Sequence, residues 1–389
     1  KIRAFLFTPS GVLRMSEAAK NQSSISPTGE KSTPLYQEHV RLSAHIAGFG
    51  GWQMPIYYSG IIDEHRHTRT RAGIFDICHM GEFMVHGADA AADLEHLLPL
   101  KISSMPVGKC KYSFFLNPDG GVRDDLLVYR MDVARFMLVV NAVPVESDVA
   151  WIVQHLSKNT CFEDISEKTA KLDIQGPLSG QVMEEVFGIS LKNLSYYSFT
   201  TQRVFGIDMI ISRTGYTGEL GYEVFFDSIY AVDIWNRFLS HPLVKPVGLG
   251  ARDTLRLEMG YPLYGHDLST AYSPLQAGFS RFVSMEKDFI GKQALAEQIA
   301  KKDYPMLTGF QIAGRRCARE GYRIMKNERK IGVVTSASFS PSLGYCIGLA
   351  YVAESFVGKG EKIQVQSDKT SFDAEITDIP FYKKGTVRQ

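Results

Sequence analysis

The 389-residue sequence predicts an α+β protein with a smaller, all-β C-terminal region. Three observations lead there. The chain is too long for one ordinary core, and at roughly 100–200 residues per domain it implies two or three. Up to about Ser284, strand-like and helix-like segments interleave without the regular spacing of βαβ units, which points to α+β layers rather than a doubly wound sheet. From Leu307 the texture changes to short β-like pieces bounded by Gly, Pro or Lys, the pattern of a small barrel or sandwich. The expected organisation is therefore an extension over 1–32, a mixed region over 33–284, and a linking helix with a β-domain over 285–389.

The extension reads in two parts. Lys1 to Arg14 carries two Arg and one Lys and no acid, faintly like a mitochondrial transit segment, and Met15 offers a natural start. The Ser/Gln/Gly-rich piece that follows, to Lys31, has the composition of a disordered segment. Thr33 as N-cap and Pro34 at the first helical position then open a predicted helix. It runs through His39, Leu42 and Ile46 and stops at Gly48-Phe49-Gly50-Gly51-Trp52. A second helix, around Ile61 to Arg71, leads into Gly73-Ile74-Phe75-Asp76.

Strands are predicted at Glu82–His86, Tyr112–Phe115, Leu126–Arg130 and Arg135–Asn141, with helices near Ala88–Leu98 and Val145–Leu156. The alternation recurs with strands at Thr169–Gln175, Val204–Arg213 and Gly221–Phe226 and helices at Pro177–Val186 and Tyr230–Leu239. Leu307–Ile312, Lys330–Ser336, Cys346–Val352 and Lys362–Val365 are the C-terminal strands.

Composition narrows the function. A net charge of +1 without a large basic block argues against a dedicated nucleic-acid binder. No run approaches the roughly 20 apolar residues of a membrane span. Five scattered cysteines with no CxxC pair suggest neither a disulfide framework nor a structural zinc site.

The most informative stretch is Asn117-Pro118-Asp119-Gly120-Gly121-Val122-Arg123-Asp124-Asp125, a glycine turn feeding two acids into the start of a strand. The pleat sends Asp124 and Asp125 to opposite faces, so one of them points inward, at a cost unless it finds a partner. A solvated hairpin turn fits the same residues. Arg213-Thr214-Gly215-Tyr216-Thr217-Gly218-Glu219 followed by Glu223 is a second glycine loop entering a strand.

Gly248-Leu249-Gly250-Ala251-Arg252-Asp253 opens a helix with charges suited to a network over a pocket, or to surface pairs. It does not read as dinucleotide-binding, because Lys245-Pro246 occupies the place of the required strand. Tyr261-Pro262-Leu263-Tyr264 sets aromatics on a rigid turn. His65 and His67 do not share a helix face and make a poor metal pair. His79 is either an acid/base or a buried, satisfied histidine, and Cys78 beside it reads as an inert packed thiol.

Taken in order, Gly50-Gly51-Trp52-Gln53-Met54-Pro55, Phe75-Asp76-Ile77-Cys78-His79-Met80-Gly81-Glu82, the Asp124-Asp125 stretch, the Arg213–Glu219 loop, Gly248–Asp253 and Ser336 to Gly344 resemble the T-protein family of the glycine cleavage system. The resemblance covers Thr33 to the C-terminus. It implies a cloverleaf of two α+β folate-binding domains, interleaved in sequence around a central channel, plus a C-terminal β-barrel. It also implies an aminomethyltransferase. The methylene of the aminomethyl group on lipoylated H-protein passes to tetrahydrofolate with release of ammonia, giving 5,10-methylenetetrahydrofolate. Tetrahydrofolate and H-protein are the expected partners, with no metal, nucleic acid or membrane. The expected setting is cytoplasmic, or the mitochondrial matrix if the basic N-terminal segment is a transit peptide.

The resemblance implies site roles as well. Asp125 is the catalytic carboxylate that stabilises positive charge near the folate nitrogens. Glu223 accepts the two parallel donors of the pterin edge. Arg252 engages the ring system and the carboxylates, and Tyr112, Tyr196 and Tyr261 line the slot. Asn141 hydrogen-bonds the folate, and Arg388 meets its glutamate tail. Cys78 stands where the family pattern leads one to expect Ser. Two other readings keep the fold: a folate-dependent demethylase of a small methylated compound, and a non-enzymatic folate-binding accessory protein.

Overall fold

The computed structural model describes residues 29–388. The predicted transit-like segment and most of the predicted extension lie outside them. Three open sheets and one closed barrel make up the architecture.

The six-stranded sheet runs Phe199–Val204, Ile207–Ser212, Gly221–Asp227, Thr169–Gln175, Ala72–Asp76, Val244–Pro246. The five-stranded sheet runs Cys110–Leu116, Val122–Asp132, Arg135–Val140, Gly81–Gly87, Thr160–Asp164. After Asp76 the chain leaves the first sheet, builds the whole of the second, and returns at Thr169. The interleaving is therefore real. Strands Met306–Ile312, Cys346–Val352, Arg329–Phe339, Arg323–Lys326, Lys362–Gln366 and Ser371–Thr377 close into the six-stranded C-terminal barrel.

Each of the two larger open sheets has one helix-covered face and one bare face. On the first, Ile74, Leu172, Ile174 and Val224 pack under the helices Ser179–Phe187 and Ala231–Leu239, whose Val182, Met183, Ile234, Trp235 and Phe238 form the apolar stripes. On the second, Leu126, Val128 and Leu138 pack under Ala90–Leu97 and Val145–His155. Period-two alternation then turns Leu127, Tyr129, Val139 and Phe225 the other way, and these residues meet in a shared cluster between the sheets. Tyr129 and Phe225 touch edge to face there, at 5.7 Å between ring centroids.

Two sequence expectations are corrected. The helix predicted from Thr33 through Ile46 is only Tyr36–Arg41, and Ile46 lies in the strand His45–Phe49. Ser43 has a left-handed φ of 56°, and Gly50 and Gly51, at 57° and 82°, form a hairpin turn into Trp52–Tyr57 rather than a helix stop. The Thr33 hydroxyl accepts from the Leu35 N–H at 3.3 Å, as a cap does, and donates to Asp76 Oδ2 at 2.5 Å. In addition, Lys31–Ser32, expected within the extension, pairs in parallel with Trp52-Gln53.

The second correction concerns Val244–Pro246, which is a short strand parallel to Ala72–Asp76. It lies at the sheet edge, where the missing Pro246 N–H is tolerated. Even so, Gly248 serves close packing rather than phosphate binding: a Cβ there would fall 2.3 Å from the Ile56 carbonyl oxygen.

The barrel is bolted on through buried charge. Glu258 accepts from Ser340 and Ser342 of the barrel and ion-pairs Arg69 at 2.8 Å, while Arg256 reaches Asp267 at 2.7 Å and Ser336 at 3.0 Å. Burial alone would raise the Glu258 carboxyl. His65, Arg69 and Ser340 outweigh it and hold the group at about 2, below its ordinary 4.5. The stabilisation this gives is present above that ordinary value and lost as pH falls toward the native one. Glu258→Gln should accordingly lower stability at neutral pH by about 3 kcal/mol, the scale for breaking a buried pair. Calorimetric unfolding against pH should also show a flatter acid limb in the variant.

Candidate active site

Between the bare sheet faces, the helix Leu249–Glu258 and the barrel lies a cavity of about 1880 Å³. Asp125, Glu223, Arg252, Tyr112, Asn141, Tyr196, Tyr261 and Arg388 all line it. The two acids come from different sheets.

Asp125 shares the bare face with Leu127 and Tyr129, while Asp124 shares the helix-covered face with Leu126 and Val128. Opposite faces do not leave Asp124 solvated, however: it is fully buried. One side chain ties both acids together. The Asn141 amide nitrogen donates to Asp124 Oδ1 and Asp125 Oδ1, each at 2.8 Å, and to the Asp125 carbonyl at 3.0 Å, while its backbone N–H reaches Asp124 Oδ2 at 3.0 Å. The Asn141 amide nitrogen is thus spent on protein. Tyr112 Oη donates to Asp125 Oδ2 at 2.8 Å. Burial pushes Asp125 up to about 6, and the Tyr112 and Asn141 hydrogen bonds restrain the rise.

The other wall comes from alternation in Thr169–Gln175. Leu172 and Ile174 face the helices, so Lys171, Asp173 and Gln175 face the opposite way, with Asp173 directly across from Glu223 in the ladder. Lys171 Nζ lies 3.1 Å from Glu223 Oε1, and Thr214 Oγ1 donates to Oε2. Burial favours the neutral Glu223 acid, but Lys171, Thr214 and Arg252 prevail and lower its pKa. Arg252 Nη1 pairs with Asp173 Oδ2 at 2.8 Å, and its guanidinium sits over the Tyr216 ring at 5.1 Å. Burial pushes Asp173 up to about 7 despite Arg252.

The remaining candidates take definite places. Tyr261 stacks on Tyr216 with centroids 5.8 Å apart, and Tyr196 meets Tyr197 edge-on. Arg388 is exposed at the rim, on a tail held by Val387 N–H to the Gly218 carbonyl and by Thr386 to Glu219. His79 lines the cavity, buried, with its pKa lowered by burial to about 4. Cys78 is packed, and burial raises its thiol pKa. His65 is bonded to Thr254 and Ser342, and His67 to two backbone carbonyls. Among the described residues no group of His, Cys, Asp and Glu is arranged to hold a metal ion, and no helix is long and apolar enough to cross a membrane.

Lys171 and Asp173 were not among the expected site residues, and Thr214 and Tyr216 were expected only as members of the Arg213–Glu219 loop. The first two carried a signal: polar residues at every second position of a strand whose intervening residues are Leu and Ile.

Residues 35–287 match the GCVT N-terminal domain and residues 306–383 the glycine cleavage T-protein C-terminal barrel domain. An aminomethyltransferase of Moorella thermoacetica is 42% identical over 359 residues, covering 91% of this chain and 98% of that protein. One of Thermotoga petrophila is 40% identical over 367 residues, covering 92% and 99%. The crystal structure of glycine cleavage system aminomethyltransferase T from Bartonella henselae superposes with a TM-score of 0.87 at 31% identity, over 93% of this chain and 99% of that one. The chain belongs to the glycine cleavage T-protein family.

Because the Tyr112 hydroxyl bonds the charged form of Asp125, Tyr112→Phe should raise the Asp125 pKa further. One hydrogen bond of about 1.4 kcal/mol corresponds to about one unit. Carboxyl-carbon NMR titration of Asp125 reads this directly, and an unmoved midpoint would show that the hydroxyl contributes nothing.

Proposed function

We propose that this protein is the aminomethyltransferase of a glycine cleavage system, moving the methylene of an aminomethyl group on lipoylated H-protein to tetrahydrofolate as ammonia leaves. The observation that carries this reading is the placement of Asp125 and Glu223 across one cavity from each other, on separate sheets. At about 1880 Å³ the cavity exceeds the roughly 300–1,000 Å³ of a pocket for one small ligand, leaving space for a second reactant.

The residues present suit a pterin. An ionised Glu223 has about four acceptor positions, of which Lys171 and Thr214 occupy two, so a pair remains for the parallel amino and ring N–H donors of the ring edge. Arg252, fixed by Asp173 and stacked over Tyr216, offers a planar cation to the ring system. Tyr112, Tyr196 and Tyr261 supply flat walls. Rim residue Arg388 is placed to meet the carboxylates of the glutamate tail. When bound, tetrahydrofolate supplies the nucleophilic nitrogens.

Asp125 supplies charge. Held by Tyr112 and Asn141, its carboxylate is oriented before the substrates arrive, so it stabilises positive charge developing at the reacting methylene without reorganising. Asn141 acts through Asp125, as a positioning residue. The bacterial relatives support a cytoplasmic setting.

With aminomethylated lipoyl H-protein and tetrahydrofolate, the protein should release ammonia in a folate-dependent way. The rate should fall as pH drops through about 6, because Asp125 must be ionised. Asp125→Asn should leave folate affinity within about threefold and lower turnover by about 10²-fold or more, the scale of one lost electrostatic group. Glu223→Gln should chiefly weaken folate binding. Folate binding without folate-dependent ammonia release would favour the accessory reading instead.

A further inference from the structure

Lys171 has no place in the roles above, yet it is 1% exposed. A lysine this deep is rare without a partner acid. Its Nζ is 3.1 Å from Glu223 Oε1, 3.5 Å from Met80 Sδ and 5.1 Å from the centre of the Phe225 ring. Its backbone is clamped as well: the Lys171 N–H donates to Cys78 Sγ at 3.3 Å, and its carbonyl accepts from Cys78 Sγ at 3.4 Å and from the Ile77 N–H at 3.2 Å. Little freedom is left for the stem.

We propose that Lys171 is a positioning residue for Glu223, keeping that carboxylate ionised and turned so that two of its acceptor positions stay open to the cavity. The proposal rests on the reading of Glu223 as the pterin acceptor.

The surroundings of Glu223 explain why a cation is required. From the adjoining strand it faces Lys171 and Asp173, from the helix Leu249–Glu258 it faces Arg252, and from Gly81–Gly87 it faces Glu82. Tyr129, Cys110 and Tyr197 are also within electrostatic reach, and Thr214 donates to it. Arg252 is committed to Asp173 at 2.8 Å. Neither oxygen of buried Glu82 has a hydrogen-bond partner, and burial pushes that acid up to about 8, so near neutrality it holds a proton and Lys171 is left to Glu223. Without Lys171, Glu223 would be a second buried acid beside Asp173, with Thr214 as its donor and the already paired Arg252 as the cation near it. Burial then raises the pKa of such a group, and a protonated carboxyl cannot accept two parallel N–H donors.

Lys171→Met removes the charge with little change of shape, and Lys171→Gln removes it while retaining a donor. Carboxyl-carbon NMR of Glu223 in the ligand-free protein should show a midpoint below the ordinary glutamate value in the parent, and a midpoint raised above it in both variants. Tetrahydrofolate affinity should be flat with pH in the parent. In the variants it should weaken about tenfold per unit below the new Glu223 midpoint. Lys171→Arg should restore the parent titration.

Identical Glu223 midpoints in the parent and both neutral variants would overturn the proposal. A parent-like midpoint in Lys171→Gln alone would overturn it too, by showing that a donor suffices without charge. If the midpoint shifts as described while tetrahydrofolate affinity ignores pH in every protein, Lys171 still governs Glu223, and the assignment of Glu223 to the pterin fails instead.

Discussion

A carboxylate removed from water must find donors or a cation, and the centre of this protein is arranged around that requirement. Glu223 is met by Lys171 and Thr214, Asp173 by Arg252 and Gln175, and Asp125 by Tyr112 and Asn141. Each acid is therefore fixed in direction as well as neutralised in part. The geometry that makes burial tolerable is the same geometry that makes the acids useful, because an oriented carboxylate in a low-dielectric cavity needs no reorganisation when charge develops before it.

Topology turns these local solutions into one site. The six-stranded sheet is interrupted after Asp76 and resumed at Thr169, and the five-stranded sheet is spun out in between. Helices cover the outer faces, so the inner faces meet, and whatever alternation places on them is shared between the two halves. The helix Leu249–Glu258 then spans the arrangement. Arg252 serves the cavity, while Arg256 and Glu258 anchor the barrel through Asp267, Ser336, Ser340 and Ser342. The C-terminal tail returns over the glycine loop and brings Arg388 to the rim.

Much of this was legible in the residues, and what escaped did so for definable reasons. Strands such as Thr169–Gln175 and Cys346–Val352 are flanked by clear punctuation and were readable to the residue. The first helix was over-extended because Thr33-Pro34 is a strong start signal, while its end depends on Ser43 adopting a left-handed φ, which no pattern announces. Val244–Pro246 was dismissed because a proline in a strand is tolerated only at an edge, and edge position is a tertiary fact. Glu223 and Asp125 stood out as acids entering apolar strands. Lys171 and Asp173 did not, because they read as ordinary strand residues until the register sets Asp173 opposite Glu223. Asn141 was expected at the site, but nothing local reveals that its amide nitrogen reaches two acids 17 and 16 residues earlier in the chain.

The proposed function requires Glu223 and Asp125 to address the two ends of one bound ring system. A crystal structure of the tetrahydrofolate complex examines that most directly. It should show the amino and ring N–H donors of the pterin edge on the two free acceptor positions of Glu223, with the reacting nitrogens turned toward Asp125 and the Lys171 contact intact. A pterin seated elsewhere in the cavity, with Glu223 bound only to Lys171 and Thr214, would contradict it.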